Sequence, residues 1–389
     1  MSVRNRRFRA GTVVLGAVLA LTTACAFGPP GPDAEGEPPN LPPPSAPSLG
    51  PDSSDGDQEV VVTVLAKHLA IPSGIAFLPD GSALVTERDT ARVLQVGPGS
   101  DADGLTVAEV RRLNEAQPSG DGGLLGIAVS PKYASDKMIF VYYTTAKDNR
   151  VAKMTLKGKL QPILTGIPHS PSADGGAIAF GPDGYLYVGT GDGTPAGTQA
   201  PDPKNLGGKI LRMTTAGKPA PGNPVKTSLV WASGFHNVQG VAWDKNKKMY
   251  ASDNGQPKNG ELNVVDRGKN YGWPKADGPG GDAKLTNPLL NWPSADSTCV
   301  GVATLEQNVA TACLNGKRIW LAGVTANGTV LGNPQPLFVG QYGRLRALVS
   351  APDGSIWAST SNQETGSTPA PDDDRLIRLV FSDGGAGRS

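Results

Sequence analysis

The sequence predicts an all-β protein, a six-bladed β-propeller preceded by a signal peptide and a disordered Pro-rich linker. From residue 59 onward no long apolar stretch with a helical period occurs; short apolar runs bounded by Gly, Pro, Asp and Asn follow one another instead. Five of these runs resemble one another: GIAFLPDGSALVTE from Gly74, LLGIAVSPKYASDKMIFVYYT from Leu124, GAIAFGPDGYLYVGTGD from Gly176, GVAWDKNKKMYASDNG from Gly240 and LRALVSAPDGSIWAST from Leu345. Each reads as an apolar strand, a tight turn and a second alternating strand. The turns fall at Pro79, Pro131, Pro182, Asp244 and Pro352, steps of about 50 to 60 residues with a double step before the last, the period of a propeller or a similar array. CVGVATLEQNVATACLNGKRIWLAG fills the double step with two short strands around a turn and brings the count to six. A seventh unit has room only in the irregular stretch 193–235. The propeller is accordingly assigned to residues 59–383.

The segments ahead of it follow in order. Arg4, Arg6, Arg7 and Arg9 precede an uncharged apolar run from Gly11 to Leu21, which is too short to span a bilayer and closes on small residues before Cys25. Residues 1–24 therefore read as a secretory signal. The stretch LTTAC resembles the bacterial lipobox, so Cys25 is the expected lipidated N-terminus, holding the chain on the outer face of the cell membrane; the other reading is an ordinary signal with a stray Cys. Residues 26–58 hold ten prolines, six acidic residues and no Lys or Arg. That composition buries too little apolar surface to offset the entropy of ordering, and residues 25–58 are read as an anchor followed by an extended spacer.

Thirty-six Lys and Arg stand against 35 Asp and Glu, which removes the electrostatic argument for nucleic acid as a partner. The expected partners are a small molecule and, through the anchor, the membrane; the chain itself is read as a monomer. Cys299 and Cys313 form an even pair in a chain exported to an oxidising space, which predicts a disulfide.

Taken in this order the units are similar to the glucose/sorbosone dehydrogenase family, soluble quinoprotein sugar dehydrogenases with a six-bladed propeller. The resemblance rests on GIAFLPDGSALVTER, DGGLLGIAVSP, GGAIAFGPDGYLYVGTGD, GKILRM, SGFHNVQGVAWD, GELNVVDRGKNYGWP, YGRLRALVSAPDGSIW and DDDRLIRL. Within the family, the lipobox, the Pro-rich spacer and the altered site motifs resemble the LppZ-type lipoproteins of actinobacteria more than the working sugar oxidases. The resemblance implies pyrroloquinoline quinone (PQQ), a cofactor with three carboxylates, over the channel mouth, a Ca2+ bridging the quinone to backbone carbonyls, and a sugar or glycan as the small-molecule partner. Arg344 and Arg346 stand where the family places two cofactor-binding arginines, whose planar forks pair carboxylates; the alternative is a pair of surface or inter-blade salt bridges. Gly255 and Gln256 fall at the Ca2+ position, as carbonyl ligands or as an ordinary glycine turn. In FHNVQG, Asn237 of the family motif HRNxQG is kept and His236 replaces the cofactor-facing Arg. Asp121 stands before GGLLG, where Glu or Gln is usual.

The resemblance also locates what this chain lacks. Working members read HxGGRIAFGPDG ahead of the turn, and that His is the general base taking the sugar hydroxyl proton while hydride passes to the quinone. Aligned with it, this chain has Ala173 at the His position and Ala177 at the Arg position. His169, four residues upstream, is either a substitute base delivered by a folded-back loop or a solvated loop residue, and His236 is a further candidate. Asp174 and Asp192 are read as turn aspartates, Asp174 exposed and without cause for a raised pKa. The expectation is an envelope lipoprotein on an oxidoreductase scaffold with impaired or lost catalysis. The alternative is an active PQQ- and Ca2+-dependent aldose dehydrogenase that uses His169.

Overall fold

A computed structural model describes residues 60–98, 105–194, 197–254, 259–280, 282–364 and 366–381. Its strands form six four-stranded antiparallel sheets. Five blades follow chain order, over residues 72–112, 124–167, 175–233, 238–293 and 299–337. The sixth takes Leu345–Ser350, Ile356–Thr360 and Leu376–Phe381 and closes with Val60–Ala66 on its outer edge, Val60 opposite Phe381. Joining the two ends of the domain in one sheet closes the ring without a broken blade. Backbone bonds continue the seam: Leu69 N–H donates to the Asp374 carbonyl at 2.9 Å and Asp374 N–H to the Leu69 carbonyl at 3.1 Å. Every predicted strand pair, including the one in the double step, supplies the two inner strands of a blade. The stretch 193–235 contributes Lys209–Met213 and Val230–Ser233 to the third blade, and no seventh sheet occurs among the described residues. Cys25, the signal and the spacer lie outside the described residues.

Local chemistry explains the repeat. In the first blade the turn closes with Leu78 N–H on the Ser82 carbonyl at 2.7 Å, while the Asp80 carboxylate accepts from Ser82 N–H and Oγ–H at 3.0 and 2.6 Å. Glycine near the axis allows the blades to approach. A Cβ on Gly126 would lie 2.2 Å from the Gly176 carbonyl oxygen, and one on Gly240 2.0 Å from that of Val300. The channel that remains is a void of about 70 Å³ between inner-strand residues such as Ile75, Ile127, Ile178, Val241 and Val302. The axis is therefore plugged by side chains, and ligand-sized space lies at its ends.

Cys299 and Cys313 face each other across the hairpin of the fifth blade and form the expected disulfide. The bond closes a loop with a sequence separation of 14, for which chain-entropy reasoning gives about 3 kcal/mol of stabilisation. Denaturant unfolding of the Cys299→Ser, Cys313→Ser variant is expected to show a loss of that size; equal stability of the two proteins would contradict it.

Candidate functional site

Each inner strand starts at the same end of the ring, where it pairs with the end of the second strand of its blade, as in Leu124 opposite Tyr143 and Gly175 opposite Thr190. Residues just before the inner strands and just after the second strands thus collect around one mouth. A cavity of about 440 Å³ lies there, and Asp121, Asn237, Arg344 and Arg346 all line it. The structure brings these four predicted residues together from the second, fourth and sixth blades.

The arginines converge on a residue that sequence reasoning missed. Glu364 Oε2 accepts from Arg344 Nη2 and Nε at 2.6 and 3.1 Å, and Oε1 accepts from Arg88 Nη1 at 2.7 Å and from Arg346 Nη2. Arg346 also donates through Nε to Ser361 Oγ at 3.0 Å, and Arg344 through Nη1 to Asn315 Oδ1 at 3.0 Å. Burial alone would raise the Glu364 carboxyl, but the pull of Arg346, Arg88 and Arg344 overrides it and holds it at about 2. Burial lowers the Arg346 guanidinium, opposed by Glu364. Burial likewise raises the Asp121 carboxyl, opposed by Arg346 and Arg88. Three guanidiniums thus gather at the rim around one carboxylate of the chain itself. The missed residues follow the second strands of the first and sixth blades, so the register of the repeat places them at the mouth.

Asn237 lines the wall and ties two blades, its Oδ1 accepting from Gly175 N–H at 2.8 Å. Next to it, Asn254 Nδ2 donates to Gln239 Oε1 at 2.9 Å, and both residues line the cavity. Asn254 Oδ1 is buried and without a partner among the described residues. Gly255 and Gln256, the expected carbonyl ligands, lie outside the described residues, between Asn254 and Asn259. No group of three or more His, Cys, Asp or Glu able to hold a metal ion occurs among the described residues.

None of the three histidines lines the mouth cavity. His236 stands behind the wall at 3 % exposure. Its backbone N–H donates to the Asp253 carboxylate at 2.9 Å, its Nδ1 meets the Asn254 carbonyl, and its ring packs edge-on against Trp273 at 4.4 Å. Burial raises Asp253, opposed by His236, and its cross-strand partner Glu261 is pushed up to about 8 by burial and then by Asp253.

The loop of His169 differs from expectation. Asp174 is not exposed: its side chain is fully buried, and its Oδ1 accepts from Asn149 Nδ2 at 2.8 Å and Ser170 N–H at 3.1 Å. Burial raises its carboxyl, with those donors opposing. The reason is local, because the loop 168–173 folds over Asp174 as the chain enters its inner strand. His169 is not a freely solvated residue either; its Nδ1 lies 2.8 Å from Asp174 Oδ1 and its side chain is 18 % exposed. Asp192 does hold its own loop, accepting from Thr194 Oγ1 at 2.6 Å and Ala200 N–H at 2.6 Å. Ala173 is 2 % exposed and adjoins Ser172, which lines the cavity.

Residues 69–368 match the family model for glucose/sorbosone dehydrogenases. The chain is 30 % identical over 238 residues to an aldose sugar dehydrogenase of Escherichia coli, a match covering 56 % of this chain and 62 % of that protein. It is 27 % identical over 263 residues to quinoprotein glucose dehydrogenase B of Acinetobacter calcoaceticus, covering 58 % and 54 %. The chain thus spans less than two thirds of these curated relatives. Among solved structures, the PQQ-bound form of an aldose sugar dehydrogenase from Streptomyces coelicolor superposes with a TM-score of 0.78 at 40 % identity, covering 84 % of this chain and 99 % of that one.

Proposed function

The chain belongs to the glucose/sorbosone dehydrogenase family, and from that premise we propose that it is an exported, lipid-anchored sugar-binding propeller whose capacity to oxidise aldoses is impaired or lost. The observation that carries the reading is the absence of any imidazole from the mouth cavity, together with Ala173 at the position where the family places its base. A positioned general base contributes about 10² to 10⁴ in rate, so the omission acts on turnover far more than on binding.

The donor set at the mouth fits a carboxylate-bearing quinone. Arg344 and Arg346 already hold a carboxylate, that of Glu364, which marks where such a group sits. The Asn254 oxygen, without a partner among the described residues, is of the hard type that Ca2+ accepts. On this reading Arg344, Arg346 and Asn237 hold the quinone and the carbonyls of Gly255 and Gln256 hold Ca2+. PQQ, when bound, supplies the hydride acceptor. The chain's own residues bind and orient: the amides of Asn237, Gln239 and Asn254 meet hydroxyl and carbonyl groups, and Asp121 adds an acceptor.

One observation favours a second reading, an active aldose dehydrogenase using His169. Its Nδ1 on the buried Asp174 carboxylate leaves Nε2 as the proton acceptor, the arrangement that orients a general base.

Fluorescence titration of the full chain with PQQ in the presence of Ca2+ is expected to give saturable binding in the micromolar range or tighter, lost in Arg344→Ala, Arg346→Ala. No binding at micromolar quinone would overturn the assignment of the mouth. Cys25→Ser is expected to move the protein from the membrane fraction to the soluble exported fraction.

A further inference from the structure

We propose that a cavity on the face opposite the mouth, between the third and fourth blades, is a second binding site, for an acidic sugar: a pyranose ring carrying a carboxylate. The cavity measures about 470 Å³ and opens among the hairpin turns that carry Asp183, Lys247 and Arg267, at the other end of the strands from Arg344 and Glu364. Its volume suits a sugar-sized ligand.

Tyr187, Met249 and Val265 are buried in its floor, and the half-buried Trp231 and Trp243 flank Tyr187 edge-on, with ring centroids at 5.8 and 5.0 Å. Flat aromatic surface of this kind packs against the C–H face of a sugar ring. The rim is basic. Asp183 is already held by Arg212 at 2.8 Å, so Lys247, Lys248 and Arg267 face Asp266 as the one other carboxylate of the lining. Neither lysine is ion-paired with a described residue. Arg267 donates to the Gly222 and Asn223 carbonyls at 2.7 and 3.1 Å, which fixes its position and leaves its charge uncompensated. The excess cations select an anionic group, and Asp266 offers an acceptor for hydroxyls.

The turn that carries Lys247 adds an independent observation. It has the bond pattern of its counterparts: Asp244 N–H donates to the Lys248 carbonyl at 3.0 Å and Lys247 N–H to the Asp244 carbonyl at 2.9 Å, as Gly181 N–H does to Tyr185 and Gly184 N–H to Gly181, both at 2.9 Å. Three counterparts put glycine at this left-handed position, with φ of 81°, 76° and 80° at Gly81, Gly184 and Gly354; the second blade has Lys137 there with φ of 53°, and here Lys247 has φ of 63°. Side chains are disfavoured in that conformation and glycine is not. Lys247 holds a conformation that favours glycine and places an ammonium on the cavity rim.

The test is calorimetric titration of the full chain in detergent with glucuronate, glucose and inorganic phosphate. Saturable glucuronate binding is expected, weakened about tenfold or more by Lys247→Gly and by Trp231→Ala. Lys247→Gly restores the glycine of the repeat, so its circular dichroism should match that of the parent chain. Glucose or phosphate binding weakened by Lys247→Gly as much as glucuronate binding is, glucuronate binding unaffected by Lys247→Gly, or no glucuronate binding would each overturn the proposal. Failure here leaves the quinone titration of the mouth unaffected, because the two sites share no residue.

Discussion

Replacing Glu364 with Gln is expected to cost about 3 to 5 kcal/mol of stability and, in the same protein, to tighten the binding of a polycarboxylate at the mouth. Both effects have one origin. Arg346 and Arg88 are 4 % and 9 % exposed in their side chains, and Glu364 is the carboxylate they share with Arg344. Removing one partner of a buried ion cluster leaves uncompensated charge, which is far more destabilising than the net worth of the cluster. The same uncompensated charge attracts an external carboxylate, so the variant should bind the quinone about tenfold tighter or better.

The pH dependence follows. The Glu364 carboxyl is depressed from its ordinary 4.5 to about 2. A depressed acid contributes stability that is complete above its unfolded value and is lost as the pH falls through the folded one. Its share, about 3 kcal/mol by linkage, should therefore be present at neutral pH and disappear between about pH 4.5 and pH 2. Denaturant midpoints of the parent and the Gln variant should differ most at neutral pH and converge toward pH 2. Equal stability at neutral pH, or weaker quinone binding in the variant, would contradict the charge assignment.

The second large effect concerns the base. Ala173→His combined with Ala177→Arg restores the residues that the family pattern places ahead of the turn. Because Ala173 adjoins a cavity-lining residue, an imidazole there is expected to raise quinone-dependent oxidation of aldoses by about 10² or more, with aldose affinity altered much less. Measurement of kcat and KM with a dye acceptor separates the two. An unchanged kcat in a folded, quinone-binding double variant would show that the missing base is not what limits turnover.

The fold was legible because the six hairpins repeat their own chemistry: a glycine near the axis, an alternating strand and a Pro-Asp-Gly turn, with the departures at Pro131, Asp244 and residue 299 onward still in register. The mouth was legible through the family resemblance, whose motifs single out Asp121, Asn237, Arg344 and Arg346, and these four line one cavity. Pairing between neighbouring blades at the ring closure was not legible. Glu364 and Arg88 lie 276 residues apart, and no local pattern couples them. Asp174 misled because its Ser, Pro and Gly neighbours have the composition of an exposed turn, whereas the loop folds over it and donates to its carboxylate. His169 followed the same error, since its partner was the buried acid five residues away.

Turnover depends on whether a proton acceptor reaches the sugar at the mouth. The most direct measurement is the rate of aldose-driven dye reduction by the full chain loaded with PQQ and Ca2+, compared with that of His169→Ala. Quinone binding is expected with turnover at the background of the cofactor alone, equal in the two proteins. Turnover well above that background in the parent chain, abolished in His169→Ala, would contradict it and establish the His169–Asp174 pair as the working base.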